Sequence, residues 1–313
     1  MNPTRYEPIR PKMVLNPVKA PSMPFDWSIN PYRGCQHGCS FCYARSTHSF
    51  IGESADDAFQ KHVFWKQDAP DVLRAQLTKM GRRLPTHVAV GTATDPYQQL
   101  ESKAKLTRGC LEVLAEFGVP ASITTRSPLV LRDLDLLQRI PGSSVNISLH
   151  TMDPDIWRTF EPATPAPRLR LDTVRKLNEG GIRAGVFMAP ILPYLSDGAE
   201  AVDRLLDACA DAGAAFVMPS FLRLSTPEVK SWFFSTLSQS YPELAEKYGR
   251  LYWRSGYAPD SYRRPLYDRI RGQLAEHGLT AYDGDRERRD KAATARPSEP
   301  SDCAQAPVQL TLF

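Results

Sequence analysis

The chain has no apolar run approaching the roughly 20 residues that span a bilayer, so no membrane segment is expected. Its N-terminus, MNPTRYEPIRPKM, lacks the apolar stretch of a secretory signal, which makes a reducing cytoplasm the expected compartment and disulfides unexpected. Charge of one sign is not in large excess: the formal net charge of +4 permits a polyanionic partner without demanding one. No G-x-G-x-x-G follows the first predicted strand, where a dinucleotide-binding fold would need it. Cysteine is scarce, six in 313 residues. What is there is an ordinary globular composition, 42% hydrophobic and 24% charged, in a chain long enough for one large domain or two ordinary ones.

From residue 25 short β-rich runs alternate with longer helical patterns. DWSINPYRG, THVAVGTATD, ASITTRS, SVNISLHT, RAGVFMAPIL and AFVMPSFLRL read as strands, separated by amphipathic segments of about three turns. This alternation predicts parallel βαβ units with right-handed crossovers. Six units without a dinucleotide fingerprint predict an α/β fold, a partial (β/α)6 TIM-type barrel, with functional groups at the C-terminal strand ends. The expected organisation is an N-terminal arm over 1–24 and the partial barrel over 25–225. A helical extension rich in aromatics and arginine follows over 226–283. The last stretch, 284–313, is polar and poor in apolar residues, and is expected to be a disordered tail.

Three of the six cysteines fall within GCQHGCSFCYAR, just past the first strand. Cys35, Cys39 and Cys42 have the spacing C-x3-C-x2-C, which lets three thiolates of one loop converge on an inorganic centre. Three is informative, because a structural zinc site takes four ligands, whereas a 4Fe-4S cluster held by three cysteines leaves one iron open. His37 is the candidate fourth zinc ligand, but it lies between Cys35 and Cys39, where a compact loop would struggle to bring it to the same ion. Three unligated core cysteines fit poorly beside Gly34, Gly38, Gln36, His37 and Ser40, which shape a loop and do not fill a core. A zinc-bound, non-catalytic nucleic-acid-binding module remains the alternative from a different class.

The cysteine spacing, with Phe41 just before the third cysteine at the end of the first strand of a βα repeat, resembles the radical S-adenosylmethionine superfamily. More narrowly, NPYRGCQHGCSFCYAR, GTATDPYQQLE, TTRS, NISLHTMD, FEPATPAPRLR and MAPILPYLSD resemble the spore photoproduct lyase-like group, also described as DNA repair photolyases. The resemblance implies that Cys35, Cys39 and Cys42 ligate three irons of a 4Fe-4S cluster and that S-adenosylmethionine chelates the fourth. Reductive cleavage to a 5'-deoxyadenosyl radical would follow, with an electron from a reductant such as flavodoxin or ferredoxin. It implies that Phe41 and Tyr43 pack the adenine, that Thr92, Thr94 and Asp95 receive the amino group, and that Arg126 pairs with the carboxylate through its guanidinium fork. Ser148 and His150 would reach the ribose or the substrate. Structural readings stand beside these: Tyr43 as a core aromatic, Asp95 as the start of a turn before Pro96, Arg126 as a solvated charge, and His150 as a core histidine. The chain departs from spore photoproduct lyase at Thr92, which matches the position of the lyase's hydrogen-donating cysteine; a hydroxyl is a far poorer hydrogen-atom donor. Cys110 and Cys209 lie in amphipathic helices, where a small buried residue is the ordinary reading, and Cys303 lies in the tail.

Two features bear on the partner. Between Tyr248 and Arg271 six arginines interleave with six aromatics against only Asp260 and Asp268. That mixture suits phosphates and unpaired bases, or else a helical cap with solvated arginines. The chain ends in Gln309-Leu310-Thr311-Leu312-Phe313, which resembles the peptide by which bacterial repair proteins dock on the sliding clamp. The expected substrate is nucleic acid, a damaged DNA base that must be unstacked to reach the site; RNA, a peptide or a small metabolite are the alternatives for the same chemistry.

Overall fold

The computed structural model describes residues 3–19, 23, 25–52 and 56–281. The tail over 284–313, with Cys303 and the Gln309–Phe313 peptide, lies outside the described residues. Among those described, a small sheet is built by β1 (Arg5–Ile9), β4 (Tyr32–Arg33) and β5 (His62–Lys66), in the order β1-β5-β4. The large sheet is built by β2 (Leu15–Pro17), β3 (Trp27–Ile29), β6 (Val88–Val90), β7 (Ala121–Thr125), β8 (Ser144–Ser148), β9 (Arg183–Ile191) and β10 (Val217–Phe221). Its order is β10-β9-β8-β7-β6-β3-β2.

From β3 to β10 each strand of the large sheet pairs parallel with the next one in sequence, and only β2 is antiparallel, against β3. The order never reverses, so the sheet is singly wound, as expected for a partial barrel, and it stays open between β10 and β2. Both edges are blunted. The Val217 amide of β10 donates to the Thr280 carbonyl at 3.0 Å, and β2 is three residues long and ends in Pro17.

Helices occupy the crossovers. They are α1 (Ala58–Lys61), α2 (Ala69–Met80), α3 (Glu101–Ala104), α4 (Leu106–Glu116), α5 (Leu134–Arg139), α6 (Pro154–Phe160), α7 (Pro167–Glu179) and α8 (Ala199–Asp211). α4 shows why such segments pack: Leu106, Cys110, Leu111, Val113 and Leu114 are buried along one stripe. Cys209 of α8 is likewise fully buried, so both helix cysteines are core residues. Two details depart from the sequence reading. The expected arm contributes β1 and β2 to the two sheets, and the helix expected from Lys103 breaks at Lys105, whose φ of +52° separates α3 from α4.

The extension consists of α9 (Pro227–Ser240), α10 (Ala245–Leu251) and α11 (Asp260–Glu276). Thr226 caps α9 by accepting from the Val229 amide, with Pro227 at the first helical position. Phe233, Tyr248 and Tyr252 pack with Phe160, Leu192 and Leu222 into a second core that also takes in Cys39 and Phe41. The Tyr248 hydroxyl donates to the Pro193 carbonyl at 2.6 Å and that of Tyr252 to the Leu222 carbonyl at 3.2 Å. Those two aromatics are structural, whereas Trp253 and Tyr257, in the loop after α10, are exposed. Among the described residues no helix is long and apolar enough to cross a membrane.

Candidate active site

The cysteine loop starts where β4 delivers the chain to Gly34. Its φ is +80°, and a Cβ there would stand 2.7 Å from the His62 carbonyl oxygen, so only glycine lets the chain turn beneath β5. The Cys35 amide then donates to the Phe59 carbonyl at 2.9 Å, the Ser40 amide to that of Phe160 at 2.9 Å, and the Cys42 amide to that of Cys39 at 3.2 Å. All three thiols are free; Cys35 and Cys39 are buried and Cys42 partly so.

A glutamine clasp joins this loop to the segment after β6. The Gln36 amide donates to Gln98 Oε1 at 3.1 Å, Gln98 Nε2 donates to the Gly34 carbonyl at 3.2 Å, and the Leu100 amide donates to Gln36 Oε1 at 3.0 Å. Arg45, fully buried, holds the other side. Its Nε donates to the Cys39 carbonyl at 3.0 Å and its Nη2 to the Gly38 carbonyl at 2.9 Å, while the guanidinium lies 4.6 Å from the Trp232 ring centroid.

The ends of β6, β7 and β8 meet this loop. Thr92 accepts from Asn30 Nδ2 at 2.9 Å, and its carbonyl accepts the Tyr43 hydroxyl. Tyr43 is therefore half exposed, with its hydroxyl turned inward; burial pushes that group up to about 12 against the pull of Arg223 and Arg126. Asp95 is engaged within the protein. Its Oδ1 accepts from the Tyr97 amide at 2.9 Å and Thr125 Oγ1 at 2.6 Å, and its Oδ2 accepts from the Arg126 amide at 2.7 Å and lies 3.2 Å from His37 Nδ1. Burial works against its charge, but His37 and these hydrogen bonds outweigh it and hold the carboxyl below its ordinary range.

Arg126 is not a solvated charge. Its Nε donates to Glu161 at 2.7 Å and its guanidinium lies 5.9 Å from the Phe41 ring centroid, leaving its two terminal nitrogens as donors. Glu161 also accepts from Arg170 Nη2 at 2.5 Å, and both of those side chains are fully buried. His150, beyond the end of β8, packs edge-on to Phe41 at 5.4 Å and stands 3.6 Å from Glu161. Ser148 is buried, and its carbonyl accepts from Arg170 Nη1 at 2.9 Å. Glu161, Arg170 and Gln98 belong to stretches that carried the family resemblance, yet the sequence reading gave them no roles; Arg126 and the Gly34–Gln36 turn, which Glu161 and Gln98 meet, lie in other segments, whereas Arg170 follows Glu161 within FEPATPAPRLR.

Burial pushes the Cys39 and Cys42 thiols up; the Arg126 charge acts against this at Cys39 and the Arg45 charge at Cys42. The donor set fits a thiolate-held iron–sulfur centre. Nearby, Thr94 Oγ1 and His150 Nε2 are buried without a hydrogen-bond partner. Such atoms cost about 1–3 kcal/mol each when left unsatisfied, which suits positions that meet a polar cofactor.

A parallel β/α sheet with a three-cysteine loop past its first parallel strand defines the radical S-adenosylmethionine class. The chain belongs to the radical SAM superfamily, whose profile matches residues 29–206. Membership implies S-adenosylmethionine and an iron–sulfur cluster as cofactors, and S-adenosylmethionine cleavage as the chemistry. An uncharacterized protein of Mycobacterium tuberculosis is 38% identical over 308 residues, covering 96% of this chain and 86% of the relative. The radical SAM Nα-GlyT isomerase of Pseudomonas phage M6 is 22% identical over 274 residues, 86% of this chain and 55% of its own. Among solved structures, spore photoproduct lyase complexed with dinucleoside spore photoproduct superposes with a TM-score of 0.63 at 16% identity, covering 89% of this chain and 81% of the lyase. SuiB of Streptococcus suis bound to the precursor peptide SuiA gives 0.55 at 14% identity, covering 81% of this chain and 47% of SuiB.

Proposed function

We propose that this chain cleaves S-adenosylmethionine at a 4Fe-4S cluster and directs the resulting radical at nucleic acid, as a lyase that repairs a damaged DNA base. The observation that carries the radical chemistry is the three-thiol loop at the strand ends, set beside buried polar atoms that lack partners. Cys35, Cys39 and Cys42 would hold the cluster, which with S-adenosylmethionine would supply a 5'-deoxyadenosyl radical, given an electron from a flavodoxin- or ferredoxin-type reductant. The Arg126 terminal nitrogens take the carboxylate as a fork. Thr94, with Thr92 beside it, meets the amino group. Asp95, spent on Thr125, His37 and the Arg126 amide, acts by positioning these neighbours in place of the direct contact expected of it. Phe41 and Tyr43 flank the adenine, and Ser148 and His150 lie on the ribose side.

Nucleic acid as substrate is supported by the fold shared with spore photoproduct lyase bound to a dinucleoside spore photoproduct, and by the aromatic and arginine-rich extension. The return of a hydrogen atom must differ from the lyase's, because Thr92 offers a hydroxyl. Thr92→Cys should alter the product distribution, and an unchanged distribution would remove Thr92 from the substrate's side. SuiB with its bound precursor peptide keeps a peptide substrate as the second reading. A zinc-bound module has less support, given membership of the radical SAM superfamily.

The deciding experiment is quantitation of 5'-deoxyadenosine from anaerobically reconstituted protein with S-adenosylmethionine and dithionite, in the presence of ultraviolet-irradiated DNA, intact DNA or neither. Release stimulated by irradiated DNA is expected. Release indifferent to DNA would move the radical to another substrate, and no release from a protein with its cluster in place would overturn the catalytic reading. Docking on a sliding clamp through Gln309–Phe313 is part of the same proposal, and deletion of those five residues should abolish it.

A further inference from the structure

Eight large apolar or aromatic side chains are exposed among the described residues, and four of them, Tyr43, Tyr194, Trp253 and Tyr257, gather at the functional end of the sheet. Tyr43 follows the last cysteine, Tyr194 follows β9, and the loop carrying Trp253 and Tyr257 pairs with the segment after β10 through an Arg223–Tyr257 bridge. The others, Tyr6, Met13, Met23 and Leu169, lie in the N-terminal segment and on α7. Trp253 is 79% exposed and makes no ring contact among the described residues. It is the gathering of exposed aromatics at one end of the sheet, and not a single open ring, that suits an interaction surface.

Two arginines stand over one of these rings. The guanidinium carbons of Arg223 and Arg263 lie 5.2 and 5.4 Å from the Tyr257 ring centroid. Arg263 shares its charge with Asp260, but Arg223 is exposed and makes no ion pair among the described residues. Arg223 follows β10 as Tyr43 follows Cys42, at the C-terminal side of the parallel strands. A row of aromatic faces and guanidinium groups in the loop after α10 and the segment after β10 thus stands at the same end of the parallel strands as the cysteine loop.

We propose that this row is a stacking platform for unpaired nucleotides of a nucleic-acid strand, with Trp253 and Tyr257 taking base faces and Arg223 and Arg263 taking the neighbouring phosphates. The inference rests on the nucleic-acid reading above and locates where the strand lies. Flat aromatic faces accept any base, and the guanidinium groups of Arg223, exposed, and Arg263, partly buried beside Asp260, hold the backbone next to them. A duplex offers its phosphates but not its base faces, so the platform prefers single strands and delivers an extruded base toward Tyr43.

The test is fluorescence anisotropy with the full-length, cluster-reconstituted protein and a fluorescein-labelled oligothymidine strand, a duplex of equal length and a matched RNA strand. The single strand should bind more tightly than the duplex. Trp253→Ala should weaken single-strand binding roughly 5- to 150-fold, the range that corresponds to about 1–3 kcal/mol per stacked base. Tyr257→Phe should retain binding that Tyr257→Ala loses. The double variant Arg223→Gln/Arg263→Gln should flatten the salt dependence by about 0.7 in log–log slope per lost phosphate contact. Wild-type affinity in Trp253→Ala and Tyr257→Ala, or an equal loss in the control Leu169→Ser, would overturn the platform. So would tighter binding to duplex than to single strand. A preference for the RNA strand would support the platform and move the substrate to RNA. Because binding is read without reductant, a protein that cleaves S-adenosylmethionine but ignores single strands overturns only the platform. A protein that binds them but releases no 5'-deoxyadenosine overturns only the catalytic reading.

Discussion

Burying the Glu161 carboxylate costs several kcal/mol unless cations meet it, and Arg170 and Arg126 meet it at 2.5 and 2.7 Å. Removing its charge strands a fully buried Arg170, so Glu161→Gln should destabilise the fold by about 3–5 kcal/mol in urea titrations. Replacing both partners, Glu161→Gln with Arg170→Met, should recover most of that loss. Burial alone would raise the Glu161 carboxyl; Arg170, Arg126 and His150 outweigh it and hold the group well below its usual range. The stability it contributes is therefore present above the unfolded value of about 4.3 and lost as pH falls through the depressed folded value. The midpoint gap between wild type and Glu161→Gln should stay flat from neutral pH to about pH 5 and close below about pH 4. The spacing of Cys35, Cys39 and Cys42 was legible because one loop holds all three. Glu161 was not, because Arg126 comes from the end of β7 and Arg170, although close in the chain, reaches it only through the turn into α7.

At the scale of the element, the cysteine loop depends on Gly34 and the Gln36–Gln98 clasp. Gly34→Ala places a Cβ 2.7 Å from a backbone oxygen, and the left-handed φ alone costs about 1–3 kcal/mol in a residue that carries a side chain. After anaerobic reconstitution that variant should retain much less iron than wild type, with Gln98→Ala between the two, as measured by iron content and absorbance near the cluster band. The six parallel strands could be read from sequence because Val-, Ile- and Ala-rich runs such as Val88–Val90 alternate with one-sided helices such as α4. β1 and β5 escaped the reading for a physical reason. β1 is mostly exposed and Pro8 interrupts it, so Arg5–Ile9 has neither a buried run nor an alternating pattern, and its pairing with His62–Lys66 joins segments far apart in the chain.

Over the whole molecule the helical extension and the cysteine loop share one core. Phe233, Tyr248 and Tyr252 pack with Phe160, Cys39 and Phe41, and each large side chain buried there contributes about 1.5–3 kcal/mol. A chain ending at residue 225 should therefore be less soluble and hold less iron than the full chain, although every cysteine of the loop remains; size-exclusion chromatography and iron assay would show both. The sequence showed the arginine and aromatic content of the extension but not its division, because Tyr248 and Trp253 differ only in which way the α10 end turns them. The open sheet carries its own consequence. With Thr280 covering the start of β10 and Pro17 closing β2, neither margin offers a free ladder of amides to a second copy. Crowding, overexpression or concentration in the laboratory should thus not drive strand exchange through the large sheet, even though that sheet never closes on itself.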